Sequence, residues 1–174
     1  MKNQTIFLLT FVFVLIGNIT GRADVLLPDV IGNSMVLQQK QVIPIWGTAD
    51  PGEAVTVTFG KSKKTAVADA NGKWRVDLGK LNANSAPQTM SISGKNSIVL
   101  KDILVGEVWL VAGQSNMQRL LRETDNGETV QASANHPNIL LFNVSREVAF
   151  KKRSGKLADW AACTPESVKE FSAA

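Results

Sequence analysis

Between Asp24 and Asp102 no apolar run keeps a helical period for a useful length, and that removes helical architectures for this part of the chain. What recurs instead are short strand-like pieces separated by turn residues. Ser34–Gln39 is followed by Val42–Ala49, and Asp50-Pro51-Gly52 marks a turn. Ala54–Phe59 alternates, with Val55, Val57 and Phe59 on one face. Lys64–Ala68 and Lys73–Leu78 flank Asp69-Ala70-Asn71-Gly72, and Asn-Gly between two such runs predicts a hairpin. Gln88–Ser93 and Ser97–Leu104 add two more strands. The spacing predicts an all-β, antiparallel β-sandwich over residues 24–104.

The pattern changes near Val105. Val108–Ala112 is a continuous apolar run of the kind a fully buried strand shows, and Asn138–Val144 is a second. Met117–Glu123 is compatible with a helix, Asp125–Glu128 reads as a polar loop, and the charged stretch Arg146–Asp159 reads as loop. Thr164-Pro165-Glu166 has the order of a helix start: a hydroxyl cap, proline at the first helical position, an acid in the first turn. Val168 and Phe171 fall on one face of that helix. Two buried parallel strands with two helices do not cover a sheet. Residues 105–174 are therefore expected to be the truncated beginning of an α/β domain in an N-terminal piece of a longer protein. The alternative is a complete sandwich with a short α/β appendage.

The first 23 residues carry Lys2, the apolar run Ile6–Ile16 and the small residues of Gly21-Arg22-Ala23, the order of an export signal cleaved after Ala23. The run is too short for a stable spanning helix. The competing readings are a membrane anchor and a buried strand. Of 19 basic residues, all but Lys2 and Arg22 remain after such cleavage, 17 against 15 acidic ones. That balance does not argue for nucleic acid or an anionic membrane as partner. The mature form is expected to be periplasmic or extracellular, without a membrane anchor. Cys163 is the single cysteine, so no internal disulfide forms, and it reads as a small buried hydrophobe. No metal-ligand spacing occurs, and no cofactor is expected.

The strongest chemical signal lies where the two halves meet. After Val108–Ala112 the chain breaks at Gly113, and Ser115 follows in the turn before the helix-compatible run. Strand, tight turn, serine, helix presents a nucleophile clear of the sheet, with free backbone N–H groups facing a developing oxyanion. The plain alternative is a serine or asparagine that only caps a helix. A serine nucleophile needs a base, and His136 is the only histidine. It precedes Pro137 at the N-terminal end of the second apolar run, whereas sites in open α/β sheets gather at the strands' carboxyl ends. His136 therefore reads as an exposed loop residue. Arg119 and Arg122 offer forks for a carboxylate, against a merely solvated face. Trp46 and Trp74 offer stacking platforms, against core or rim packing.

Gly106-Glu107-Val108-Trp109 running into Gly113-Gln114-Ser115-Asn116-Met117 resembles the first block of SGNH-type esterases, and more narrowly the sialate O-acetylesterase family and its carbohydrate-acetylesterase relatives. Familial wording continues in Leu27–Gln39, in Val42, Pro44, Trp46 and Gly47, in Pro51-Gly52-Glu53, in Gly72-Lys73-Trp74 and in Phe171-Ser172-Ala173-Ala174. The resemblance implies a β-rich domain ahead of an SGNH-type α/β/α hydrolase domain. It implies Ser115 as nucleophile and one oxyanion donor, Gly113 as the turn residue, and Gln114 and Asn116 as motif neighbours. The implied substrate is an O-acetylated sugar or glycan, most like a sialate ester; an acetylated plant polysaccharide such as xylan is the alternative, and a non-catalytic carbohydrate-binding sandwich is the rival of another class. The family's Asp-x-x-His pair has no match in these 174 residues. Gln118-Arg119-Leu120 stands where members often have Glu-Trp-Pro, which bears on sugar specificity.

Overall fold

A computed structural model describes residues 24–144 and 158–172. The export-signal segment 1–23 and nearly all of the charged stretch after Val144 lie outside the described residues. The chain is mostly strand: β1 Val36–Gln38, β2 Pro44–Thr48, β3 Ala54–Phe59, β4 Ser62–Val67, β5 Lys73–Asp77, β6 Asn84–Ser93, β7 Ser97–Gly106, β8 His136–Phe142 and β9 Trp160–Cys163, with one short α-helix, α1, at Gly127–Ser133.

The largest sheet has the order β1-β7-β6-β3-β4, and β2 pairs with β5 in a separate two-stranded sheet. The alternation read in β3 holds, with Val55, Val57 and Phe59 each at most 2% exposed. They pack with Ile92 and Ile103 of the large sheet and with Ile45, Trp74 and Val76 of the small one, so one apolar core serves both sheets. Each such side chain contributes about 1.5–3 kcal/mol by leaving water.

Two expectations fail here. The large sheet is mixed rather than antiparallel, because β1 runs parallel to β7, with Val36 opposite Leu104 and Gln38 opposite Gly106. The Asn71-Gly72 turn also does not close a hairpin. β4 pairs with β3 through the two-residue turn at Gly60-Lys61, and β5 pairs with β2. The turn instead carries the chain from one sheet to the other. Asp69 builds it by accepting the Asn71 and Lys73 amides at 2.8 and 2.9 Å. Gly72 has φ +74°, and its carbonyl accepts the Ala49 amide at 2.8 Å. A Cβ at Gly72 would run into the Ala49 carbonyl oxygen. Gly72→Ala is therefore expected to lower stability by about 1–3 kcal/mol, from the left-handed backbone and the overlap together. A urea titration checks it; an unchanged midpoint would mean the turn relaxes freely.

Beyond β7 the structure departs further from the expected α/β pattern. Val108–Ala112 forms no strand, and Trp109 and Leu110 are 86% and 90% exposed. A buried parallel strand needs hydrogen-bonded neighbours and covered faces, and no strand among the described residues pairs with this run. The second apolar run does form a strand, β8, but it pairs antiparallel with β9, with Leu140 opposite Ala162. The expected helix over 117–123 is two 3-10 turns, Ser115–Gln118 and Leu121–Glu123, separated by extended backbone at Arg119 and Leu120. A seven-residue run with no fully buried residue has little to hold it in an α-helix. The helix expected after Thr164 is also a single 3-10 turn, Ser167–Glu170. Thr164 and Ser167 do cap each other: the Ser167 hydroxyl accepts the Thr164 amide at 2.8 Å, and the Thr164 hydroxyl accepts the Ser167 amide at 3.2 Å. The Ser167 hydroxyl also donates to the Ala162 carbonyl at 2.6 Å, which ties the turn to β9.

α1 answers to no expected helix; part of it lies in the predicted polar loop. It begins after Asn126, in a left-handed conformation, and Gly127 is buried directly on the Leu121 carbonyl. Cys163 is buried at 7% with Ala134 and Val168, in a small second core. Trp160 joins the two regions. Its ring lies 5.2 Å from that of Phe142, its indole N–H donates to the Val30 carbonyl at 2.9 Å, and its side chain packs on the main core.

Candidate active site

Glu107 to Gly113 leave the end of β7 without regular structure and lead into the Ser115 turn. The turn closes with the Met117 amide donating to the Gln114 carbonyl at 3.0 Å, and the Arg119 amide reaches the Asn116 carbonyl at 3.4 Å. Gly113, Gln114, Ser115 and Asn116 are all exposed. The Ser115 hydroxyl makes no hydrogen bond to any described residue, and the amides of Ser115 and Asn116 have no backbone acceptor among them. An open hydroxyl beside free amides is the local arrangement an acyl-transfer nucleophile needs.

The constraint the structure places on Gly113 differs from the one expected. Its φ is negative or extended, so no left-handed turn demands glycine there. A Cβ on Gly113 would instead come within 2.5 Å of Met117 Cγ. The Met117 side chain lies across the glycine. The segment that follows is a four-residue 3-10 turn, so the free amides expected at a helix N-terminus belong to a 3-10 turn instead.

The remaining candidates are scattered. His136 is exposed, as read, but it is the first residue of β8, opposite Cys163, rather than a loop residue. Arg119 ends the first 3-10 turn and Arg122 sits inside the second, so they do not share one helix face. Trp74 is 3% exposed in the core, which removes it as a sugar platform, while Trp46 on β2 remains 41% exposed.

Motif reading missed a contact between two of the familial stretches. The Gln38 amide nitrogen donates to Glu107 Oε2 at 2.9 Å, and the Gln39 amide nitrogen to Glu107 Oε1 at 2.6 Å. Gln38 Oε1 accepts the Val108 amide at 2.8 Å. These bonds hold the Glu107 carboxyl below the usual glutamate range; Gln38 contributes most, then Gln39, and the Lys40 ammonium assists. The signal was present in two adjacent glutamines and a glutamate, all inside the familial stretches, but nothing in one dimension says that they meet.

No family model matches the chain. Among curated proteins, it is 32% identical over 127 residues to the sialate O-acetylesterase of Mus musculus, a match spanning 66% of this chain and 24% of that protein. It is 28% identical over 153 residues to that of Pongo abelii, spanning 79% of this chain and 29% of that protein. A solved structure of a carbohydrate acetylesterase from Xanthomonas citri superposes with a TM-score of 0.77 at 33% identity, covering 86% of this chain and 35% of that one. The chain belongs to a sialate O-acetylesterase-like family. It spans about a quarter of the length of the curated relatives it matches. The mostly-strand fold with its mixed sheet is the part of this chain that superposes on the Xanthomonas citri carbohydrate acetylesterase. The exposed Ser115 turn and the Glu107 carboxyl bonded by Gln38 and Gln39 are two features of this region with chemical content.

Proposed function

We propose that the protein is an exported carbohydrate O-acetylesterase that hydrolyses acetyl esters of sugars, most like a sialate O-acetylesterase, with Ser115 as its nucleophile. The observation that carries this is the open Ser115 hydroxyl on a turn with unoccupied amides, in a chain related to sialate O-acetylesterases. Ser115 Oγ attacks the acetyl carbonyl carbon and gives its proton to a base. The tetrahedral oxyanion forms against the Ser115 amide. The sugar oxygen then leaves with a proton, and water cleaves the acetyl-Ser115 ester to release acetate. The acid-base pair belongs to an Asp-x-x-His that this sequence does not contain. On this reading residues 1–23 are a cleaved signal, 24–104 a β-sandwich domain and 105–174 the start of an SGNH-type hydrolase domain. Deacetylation of a xylan-like polysaccharide is the nearest variant of the reaction.

The test uses the full-length protein and an organophosphonate that modifies activated serines. The expected result is one phosphonylated residue, Ser115, with labelling slowed by O-acetylated sialic acid more than by acetylated xylan. Modification of a different serine would remove Ser115 from the mechanism. Equal protection by the two esters would leave the reaction class but remove the sialate preference. A second reading, a carbohydrate-binding module without catalysis, is favoured by Trp46, exposed on β2. Glycan binding lost on Trp46→Ala, in a protein that neither labels nor releases acetate, is its outcome in the same experiment.

A further inference from the structure

The three-residue strand β1 ends at Gln38, opposite Gly106, the last residue of β7. One residue further along each strand the side chains take over from the ladder. Gln38 and Gln39 supply both of their amide nitrogens to the two oxygens of Glu107, and Gln38 Oε1 takes the Val108 N–H. The Gln39 backbone amide meanwhile donates to the Gly106 carbonyl at 2.8 Å. The side-chain partners are 68 to 70 positions apart in sequence, so the parallel pairing of β1 with β7 is what brings them together.

This group is not needed to hold β7. That strand is already paired on both sides, with β6 and β1, and buries Leu100, Ile103, Leu104 and Val105. Gln38, Glu107 and Val108 are near the surface, where hydrogen bonds add little to stability. What the group does control is the direction in which the chain leaves the sheet. From Glu107 onward the backbone has no ladder or helix until the turn that begins at Ser115. A carboxyl pinned at both oxygens and a following amide pinned by the same glutamine give that exit one orientation.

We propose that Gln38, Gln39 and Glu107 form a positioning clamp that orients the segment carrying Ser115, with Glu107 a positioning residue and not a catalytic one. The proposal rests on the reading of Ser115 as the nucleophile. The lowered titration of Glu107 agrees with it. The ionised form is the one the two amides bind, Lys40 is the cation beside it, and the clamp weakens only when the pH falls below the ordinary glutamate range.

The chemistry supplies a reciprocal test in the full-length protein. In Glu107→Gln, an amide faces the two glutamine amide donors and one bond is lost. In Gln38→Glu, two carboxylates face each other. In the double variant the roles exchange. The carboxylate now at position 38 still accepts the Val108 N–H, and the amide now at position 107 donates to that carboxylate while accepting from Gln39. Each single substitution is expected to lower kcat about 10- to 100-fold, as misplacement of a reacting group does, with KM and melting temperature nearly unchanged. The double variant is expected to restore kcat to within a few-fold. Hydrogen exchange of the Val108 amide should rise in each single variant and return in the double. Singles with wild-type kcat, or a double that recovers neither exchange nor kcat, would overturn the clamp. A fall in melting temperature parallel to kcat would overturn positioning in favour of a structural tie. Ser115→Ala in the same assay separates the two claims. If it stays active while exchange at Val108 follows the swap, the nucleophile assignment fails and the clamp remains as geometry.

Discussion

Ser115→Ala is expected to reduce acetate release by the full-length protein about 10⁴-fold or more while leaving its melting temperature and circular dichroism unchanged. The size follows from chemistry. On the proposed mechanism no acyl-enzyme forms without the hydroxyl, and what remains is the binding and oxyanion contribution, which in serine hydrolases leaves a small residual rate over water. The second half follows from the surroundings. Ser115 is exposed, its hydroxyl bonds to no described residue, and the 3-10 turn it opens buries nothing. Removing one oxygen there creates no cavity and strands no partner. Acetate release from an O-acetylated sugar, measured beside a thermal melt, checks both halves. Activity retained within a few-fold would end the nucleophile reading. A lost activity with a lowered melting temperature would mean the turn is structural.

The largest stability effect is expected at Glu53. It is the one buried polar or charged residue among the described ones, at 8% exposure. Its carboxyl ties two turns together across the end of the core. Oε2 accepts the Asp50 amide at 3.0 Å and Oε1 accepts the Lys95 amide at 2.6 Å. Lys95 in turn reaches Asp50 with its ammonium group. The packing is tight enough that a Cβ on Gly94 would strike Glu53 Oε1. Glu53→Ala leaves two amide donors without an acceptor and opens a void beside Val25 and Gly94, and about 2–4 kcal/mol should be lost. Glu53→Gln keeps one good acceptor and the volume, so it should cost about half as much. Urea unfolding of the two variants measures this. A loss below about 1 kcal/mol for Glu53→Ala would mean that water replaces the carboxyl, and the tie would not be a core element.

The β-rich half was largely legible because its signal is local. Alternation in Ala54–Phe59 and turn residues at Pro51-Gly52 act over a few positions, and the strands appear where those patterns lie. Partner choice was not local. Lys64–Ala68 and Lys73–Leu78 flank a good hairpin turn, yet β4 closes on β3, the strand just before it, and β5 on the more distant β2. The half after Val105 was less legible for the same reason. Val108–Ala112 has the composition of a buried strand, but composition does not supply the neighbours that would bury it, and here it stays exposed.

Residue order alone determined the all-β character of residues 24–104, the turn that presents Ser115 and the family wording around it, because each depends on contiguous residues. The tertiary structure decided the mixed sheet, the burial of Trp74 against the exposure of Trp46, and the meeting of Gln38 and Gln39 with Glu107. Those depend on which strands pair. That choice is made by the whole core at once, through apolar area covered and backbone hydrogen bonds satisfied, and not by any stretch of sequence read singly.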